Sequence, residues 1–244
     1  MNRTNKFDAE LLKISHYQKH QHMLPFIGQY WGDYKKLLVV AESHYLPNNK
    51  ENLYFIKKWY EISSSELNSE SMESARKWTN TAGLLNCTGN NQKYDDPRAH
   101  SIYKNIQMAI LKSNFSFSDK TNMFRYISFV NFFQRPAEKT GDSIHVNEQD
   151  IEIANQTMSE IIRIIEPEFI FFVSSKAWKN FDKSLFNRAN TGHSCHPSCK
   201  WWNRKSKSYT KSLNKQSVTG QESFIDFMNT HNIFQTPITN PHTP

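Results

Sequence analysis

The sequence predicts an α/β fold: a three-layer α/β/α sandwich around a central, mostly parallel four-stranded sheet. Three observations carry this expectation. Lys36-Leu37-Leu38-Val39-Val40, Tyr126-Ile127-Ser128-Phe129-Val130 and Phe169-Ile170-Phe171-Phe172-Val173 are short apolar runs, the pattern of strands covered on both faces. Stretches with helical spacing lie between them, as the crossovers of a doubly wound sheet require. Three of the four strands end in loops carrying useful chemistry, and ligands of such sheets bind outside the carboxyl ends of the strands.

Taken in order, residues 8–23 read as an N-terminal helix ended by Leu24-Pro25, then an aromatic loop from Phe26 to Tyr34. The first strand runs into Ala41-Glu42-Ser43-His44-Tyr45-Leu46-Pro47. A helical insertion at about residues 46–122 follows. It holds an aromatic-rich helix from Leu53 to Ile62, a Ser/Glu/Asn-rich loop from Ser63 to Ser74, and a helix opened by Asp96-Pro97. Ile102, Ile106, Ala109 and Ile110 keep helical spacing on that last helix. After the second strand, Asn147 to Asp150 resembles a capping pattern. Ile151, Ala154, Met158, Ile161, Ile162 and Ile165 then line one helix face until Pro167 stops it. The third strand leads into Ser174-Ser175 and a helical start at Lys176-Ala177-Trp178. A fourth strand near Ala189–Ser194 delivers His196. Beyond a basic connection, Thr219-Gly220-Gln221-Glu222 is a capping box for a last helix with Phe224, Ile225, Phe227 and Met228 inward. One domain over residues 1–234 is expected, with 235–244 as a flexible tail.

The chain has 244 residues, enough for one sizeable α/β domain. No apolar run approaches the ~18–20 residues of a membrane span, and Met1-Asn2-Arg3-Thr4-Asn5-Lys6 lacks the apolar core of a signal peptide. These features point to a soluble, cytoplasmic protein with no membrane partner, and nothing demands more than a monomer. Cys87, Cys195 and Cys199 do not make a disulfide scaffold and fit a reducing compartment. The formal net charge is +7, unevenly spread. From Lys176 to Lys215 there are ten Lys and Arg against one acid, Asp182. A localised basic field beside aromatic side chains is the footprint of a polyanion, most simply nucleic acid. A solvated lysine-rich surface is the alternative.

Chemistry concentrates in the stretch from Gly192 to Arg204. His196 can donate a hydrogen bond to a developing anion, and Pro197 forces the chain out of its strand. Trp201 and Trp202 are large apolar faces just after a turn; core packing is their ordinary role. Two further loops converge on the same sheet edge, Glu42-Ser43-His44-Tyr45 and Asn131. A local zinc site from His193, Cys195, His196 and Cys199 is disfavoured, since residues one apart on a strand point to opposite faces.

The order and spacing of these loops resemble the uracil-DNA glycosylase superfamily. Ala41-Glu42-Ser43-His44-Tyr45 stands where that family carries a G-Q-D-P-Y or G-E-A-P-G type motif. Ile127-Ser128-Phe129-Val130-Asn131-Phe132-Phe133-Gln134-Arg135-Pro136 keeps the Asn and the R-P of the family's middle strand. His196-Pro197-Ser198 matches its late H-P-S loop. Pro167 to Ala177 is similar to its P-x-x-I-x-x-x-G-x-x-A segment. The resemblance covers roughly Leu37 to Asn203, and each motif alone is short.

The resemblance implies a DNA glycosylase that flips a uracil-like or modified base from DNA and hydrolyses its N-glycosidic bond. It implies base recognition by Asn131, with Tyr45 and His44 beside it, and anion stabilisation by His196. Glu42 would position water or stabilise the sugar cation, next to Ser43, which replaces the Asp of the best-known branch. His44 is the reserve for that task. Ser194, Ser198 and Lys200 would pin phosphates, Lys200-Trp201-Trp202 would fill the vacated duplex, and Arg204, Lys205 and Lys207 would attract DNA at longer range. Tyr45, Tyr54, Phe55 and Trp78 are candidates to stack on the base. No metal or organic cofactor is implied, and three cysteines cannot hold the iron–sulfur cluster of some branches. Two alternatives stand beside this expectation. One is a member removing bulky modified cytosine from phage DNA as defence; the other is a catalytically inactive DNA-binding module.

Overall fold

A computed structural model describes residues 2–47, 50–63, 70–87, 101–117, 119–210 and 217–235. The chain begins with two short helices, α1 (Asp8–Leu11) and α2 (Ser15–Lys19), and an edge strand β1 (Phe26–Ile27). Strand β2 (Leu37–Ala41) precedes four helices: α3 (Lys50–Lys57), α4 (Glu70–Thr79), α5 (Thr81–Cys87) and α6 (Ser101–Lys112). Then come β3 (Ser128–Asn131), α7 (Glu148–Ile165), β4 (Phe169–Phe172), α8 (Ser175–Asn180) and β5 (Thr191–His193). A hairpin, β6 (Ser206–Thr210) and β7 (Ser217–Val218), leads to α9 (Gly220–Thr230).

The fold is α/β, with a mixed five-stranded sheet in the order β1-β3-β2-β4-β5. Strands β2 to β5 pair in parallel, while β1 runs antiparallel to β3. The two-residue strand β1, expected as loop, is the addition to the four-stranded sheet. Two residues are too few for an alternation to be visible in sequence.

Alternate residues of the buried strands feed two cores. Leu37, Val39, Phe129 and Phe171 pack with side chains of α5, α6 and α9. Leu38, Val40, Ile170 and Phe172 pack with α7, α8 and the N-terminal helices. Burial on both faces explains why these strands read as continuous apolar runs rather than alternating ones. Helix α7 buries Ala154, Met158, Ile161 and Ile165 on one stripe. Asn147 and Asp150 close a reciprocal capping box at its start, and Glu166 (φ 47°) ends it in the left-handed region just before Pro167.

Several local expectations change. The N-terminal helix is broken into α1, α2 and a 3-10 turn at Gln21–Met23. Residues 70–74, expected as loop, belong to α4, and the helix expected from Leu53 starts earlier and ends at Lys57. Tyr126 closes a 3-10 turn, so β3 starts at Ser128. The basic connection contains the β6–β7 hairpin. In α9, Phe224 and Met228 are buried while Ile225 and Phe227 are half-buried. The Asp96-Pro97 helix start and the tail from 236 lie outside the described residues.

Candidate functional site

From β2 the chain crosses to β3 on one side of the sheet and later returns to β4 on the other. The crevice outside the carboxyl ends of β2 and β4 is therefore a topological switch point, the usual ligand position of such sheets. The ladder continues past the strand ends and sets the loops side by side. Phe133 N–H donates to the Glu42 carbonyl at 2.9 Å, Val173 N–H to Val40 at 2.8 Å, and Ser194 N–H to Phe172 at 2.8 Å.

Glu42, just past β2, is half-buried at this crevice. Its Oε2 accepts from Ser174 Oγ at 2.8 Å, and its Oε1 from Ser143 Oγ. Ser174 is also the N-cap of α8, its oxygen accepting the Ala177 N–H at 3.1 Å. Two hydroxyls thus fix the carboxylate with both oxygens in use. Ser43 is half-buried beside it.

His196 stands in the loop after β5, near enough to Glu42 to feel its charge. Burial lowers its pKa, and the nearby Glu42 carboxylate acts in the opposite direction. The Ser198 N–H donates to its Nδ1 at 3.3 Å, and Ser198 Oγ lies 2.7 Å from the same atom. A nitrogen that accepts a backbone N–H carries no proton, so the neutral ring holds its proton on Nε2. The arrangement is a neutral donor opposite a fixed carboxylate. It can stabilise a developing anion and activate or orient water in one crevice.

Asn131 ends β3 and is 9% exposed. Its Nδ2 lies 2.9 Å from His44 Nε2. His44 is buried, which pushes its pKa down to about 4, and its ring also bonds the Trp78 backbone carbonyl. Asn131, His44, Thr81 and Gln134 line a small cavity with room for about one water (about 10 Å³ for its centre). An open groove of about 480 Å³ lies on the Ser143 side, lined by Ser143, Ile144, His145, Val146, Lys176 and Asn180.

The structure thus brings Glu42, Ser43, His44, Asn131 and His196 to one sheet edge, and corrects other assignments. Trp202 is fully enclosed and belongs to the core, so it does not fill a duplex; Trp201 is a surface residue, 43% exposed with Lys200 Nζ 5.0 Å from its ring centroid. Ser194 is fully buried and donates to the Cys195 carbonyl at 3.1 Å, out of reach of a phosphate. Ser198, Lys200, Arg204, Lys205 and Lys207 are exposed. Lys176 and Lys183 are instead held on backbone carbonyls. Among the base-stacking candidates Phe55 is buried, Tyr54 is exposed under Lys58, and Tyr45 contacts Trp78 at 5.6 Å between ring centroids.

His193 stacks on Trp178 at 5.0 Å, whereas Cys195 is buried against Gly220. Among the described residues no three His, Cys, Asp or Glu side chains form a metal-ligand group, and no helix is long and apolar enough to cross a membrane. Sequence reasoning missed Ser143 and Ser174 as partners of Glu42. Ser174 had a signal: it replaces the Gly of the resembled P-x-x-I-x-x-x-G-x-x-A segment. Ser143 had none. No protein-family model, no curated protein and no solved structure matches this chain.

Proposed function

We propose that the protein is a DNA glycosylase that hydrolyses the N-glycosidic bond of a flipped base and leaves an abasic site. The observation that carries this reading is the pairing of a doubly held carboxylate, Glu42, with a neutral Nε2–H donor, His196, across the switch point. In this reading Glu42 orients a water molecule towards C1′ of the sugar and takes up its proton as the oxygen bonds. The electron pair of the breaking C–N bond leaves with the base, and His196 Nε2–H stabilises that anion. Asn131 reads the base edge, and Ser198, Lys200, Trp201 and Arg204 meet the DNA strand. The open groove beside Ser143 offers space for a bulky substituent, which keeps modified cytosines of phage DNA among the substrates.

A second reading, a DNA-binding module without catalysis, is favoured by the size of the cavity at Asn131, which holds about one water and not a base. Mass spectrometry of free bases released from a DNA panel separates the two. The panel holds uracil, hypoxanthine, hydroxymethylcytosine and glucosylated hydroxymethylcytosine. Release of one base supports the enzyme and names its substrate. Salt-sensitive binding with no release from any DNA supports the module.

A further inference from the structure

We infer that His44 is a positioning residue that fixes the orientation of the Asn131 side-chain amide, turning Nδ2 inward and leaving Oδ1 to accept an N–H donor from the ligand. The inference rests on the role proposed above for Asn131 and names what that residue can recognise. It follows from counting protons on one ring. His44 hydrogen-bonds the Trp78 backbone carbonyl, which can only accept. The buried, neutral ring has a single N–H, and that bond uses it. Nε2 is the nitrogen facing Asn131 at 2.9 Å and the Thr81 hydroxyl at 3.4 Å. It must therefore accept, and the group that Asn131 presents to it must be the NH2. The 2.9 Å contact between Asn131 Nδ2 and Nε2 agrees, since an amide nitrogen only donates.

The orientation has a chemical consequence. A base edge presents a donor and an acceptor side by side, in one order for keto bases such as uracil and the reverse order for amino bases such as cytosine. An amide free to rotate by 180° pairs with both. An amide held by His44 pairs with one. The Gln134 side chain keeps the Asn131 backbone in place, its Nε2 donating to the Asn131 backbone carbonyl at 2.9 Å. Discrimination between keto and amino bases is then set from behind the site, by a residue that does not touch the base.

Nitrogen-15 NMR of the full chain tests the orientation without any activity. In the wild type the His44 ring should show a protonated Nδ1 and an unprotonated Nε2 at pH 7. Asn131→Asp places a carboxylate against Nε2 and should move a proton onto that nitrogen. Asn131→Ala should leave it unprotonated. A protonated Nε2 in the wild type, or no change in Asn131→Asp, overturns the inference. The functional arm compares base release from uracil- and cytosine-type substrates by wild type and His44→Ala. The preference should shrink by about tenfold in the variant, the worth of one hydrogen-bond orientation, and His44→Gln, whose amide oxygen can accept from Asn131, should restore it. An unchanged preference in His44→Ala overturns the inference. If the wild type releases no base, the glycosylase reading fails, and the NMR arm still decides the orientation.

Discussion

Ser174 links the start of α8 to Glu42: its hydroxyl donates to the carboxylate at 2.8 Å while its oxygen accepts the Ala177 amide at 3.1 Å. One small side chain thus caps a helix and holds the candidate water-positioning group. Ser174→Ala should lower base release by about tenfold through the lost hydrogen bond and stability by about 1 kcal/mol through the lost cap. Glu42→Gln should abolish release with stability little changed. Single-turnover rates and urea unfolding measure both. Equal activity of Ser174→Ala and wild type would remove Ser174 from the site.

His196 should be needed in its neutral form. Because burial holds its pKa below the ordinary value, release should show no loss from protonation of His196 at pH 7 and above. His196→Ala should reduce release at least a hundredfold while DNA binding changes less than threefold, as expected for a donor used only as charge develops. Rates across pH 5–9, with binding measured by anisotropy, check this. Parallel loss of binding and release would make His196 structural.

Acid should weaken the fold through the N-terminal histidines. His20 and His44 are pushed down to about 4 and His22 to about 3, mainly by burial, and His16 is also well below its ordinary value. Above about pH 6.5 these groups are neutral in both folded and unfolded chains. As pH falls from about 6.5 to about 4, the unfolded chain takes up protons that the folded one refuses, so stability drops. Urea midpoints should fall steadily over that window. A flat profile would contradict the burial of these rings.

The loop after β3 is anchored by a buried ion pair. Arg135 Nε and Nη2 bond the two Asp150 oxygens at 2.7 and 2.9 Å, and Tyr60 Oη donates to the same carboxylate at 2.8 Å. Asp150→Ala leaves Arg135 buried and also removes the α7 capping box, so it should cost about 3–5 kcal/mol. Chemical denaturation measures it, and a cost below about 1 kcal/mol would contradict the pairing.

The two adjacent tryptophans should separate cleanly. Trp202→Ala empties a fully buried site and should cost about 3–5 kcal/mol. Trp201→Ala should leave stability within about 0.5 kcal/mol and weaken DNA binding, while Lys200→Ala should lower the salt dependence of binding by about one phosphate contact. Binding isotherms at several salt concentrations test both, with melting curves as the control.

The parts of this fold that were legible in the sequence share one property: a local signal that tertiary packing also uses. The apolar runs at 37–40 and 169–172 are strands because both faces are covered. Asn147 and Thr219 read as caps because the bond they make is three residues away. What stayed hidden depends on distant partners. Phe26–Ile27 is a strand only because Phe129 and Ser128 lie beside it. Trp202 is core and Trp201 is surface through a 3-10 turn at Lys200–Trp202 that no pattern announces. Glu42, Asn131 and His196, at or just past strand ends, could be placed at one sheet edge from connectivity. Their actual partners, Ser143 and Ser174 for Glu42, His44 for Asn131 and Ser198 for His196, are set by how the loops fold.

The insertion between β2 and β3 has a standing beyond a lid or spacer. Trp78 and Thr81, from α4 and α5, hold the ring of His44, which in turn holds Asn131. A chain trimmed of this segment would lose the contacts that hold His44, and with them the hold of His44 on the Asn131 amide. The end of β3 and the helices α4 and α5 are therefore tied through one imidazole, and grafting either onto another α/β scaffold would transfer only half of that contact chain.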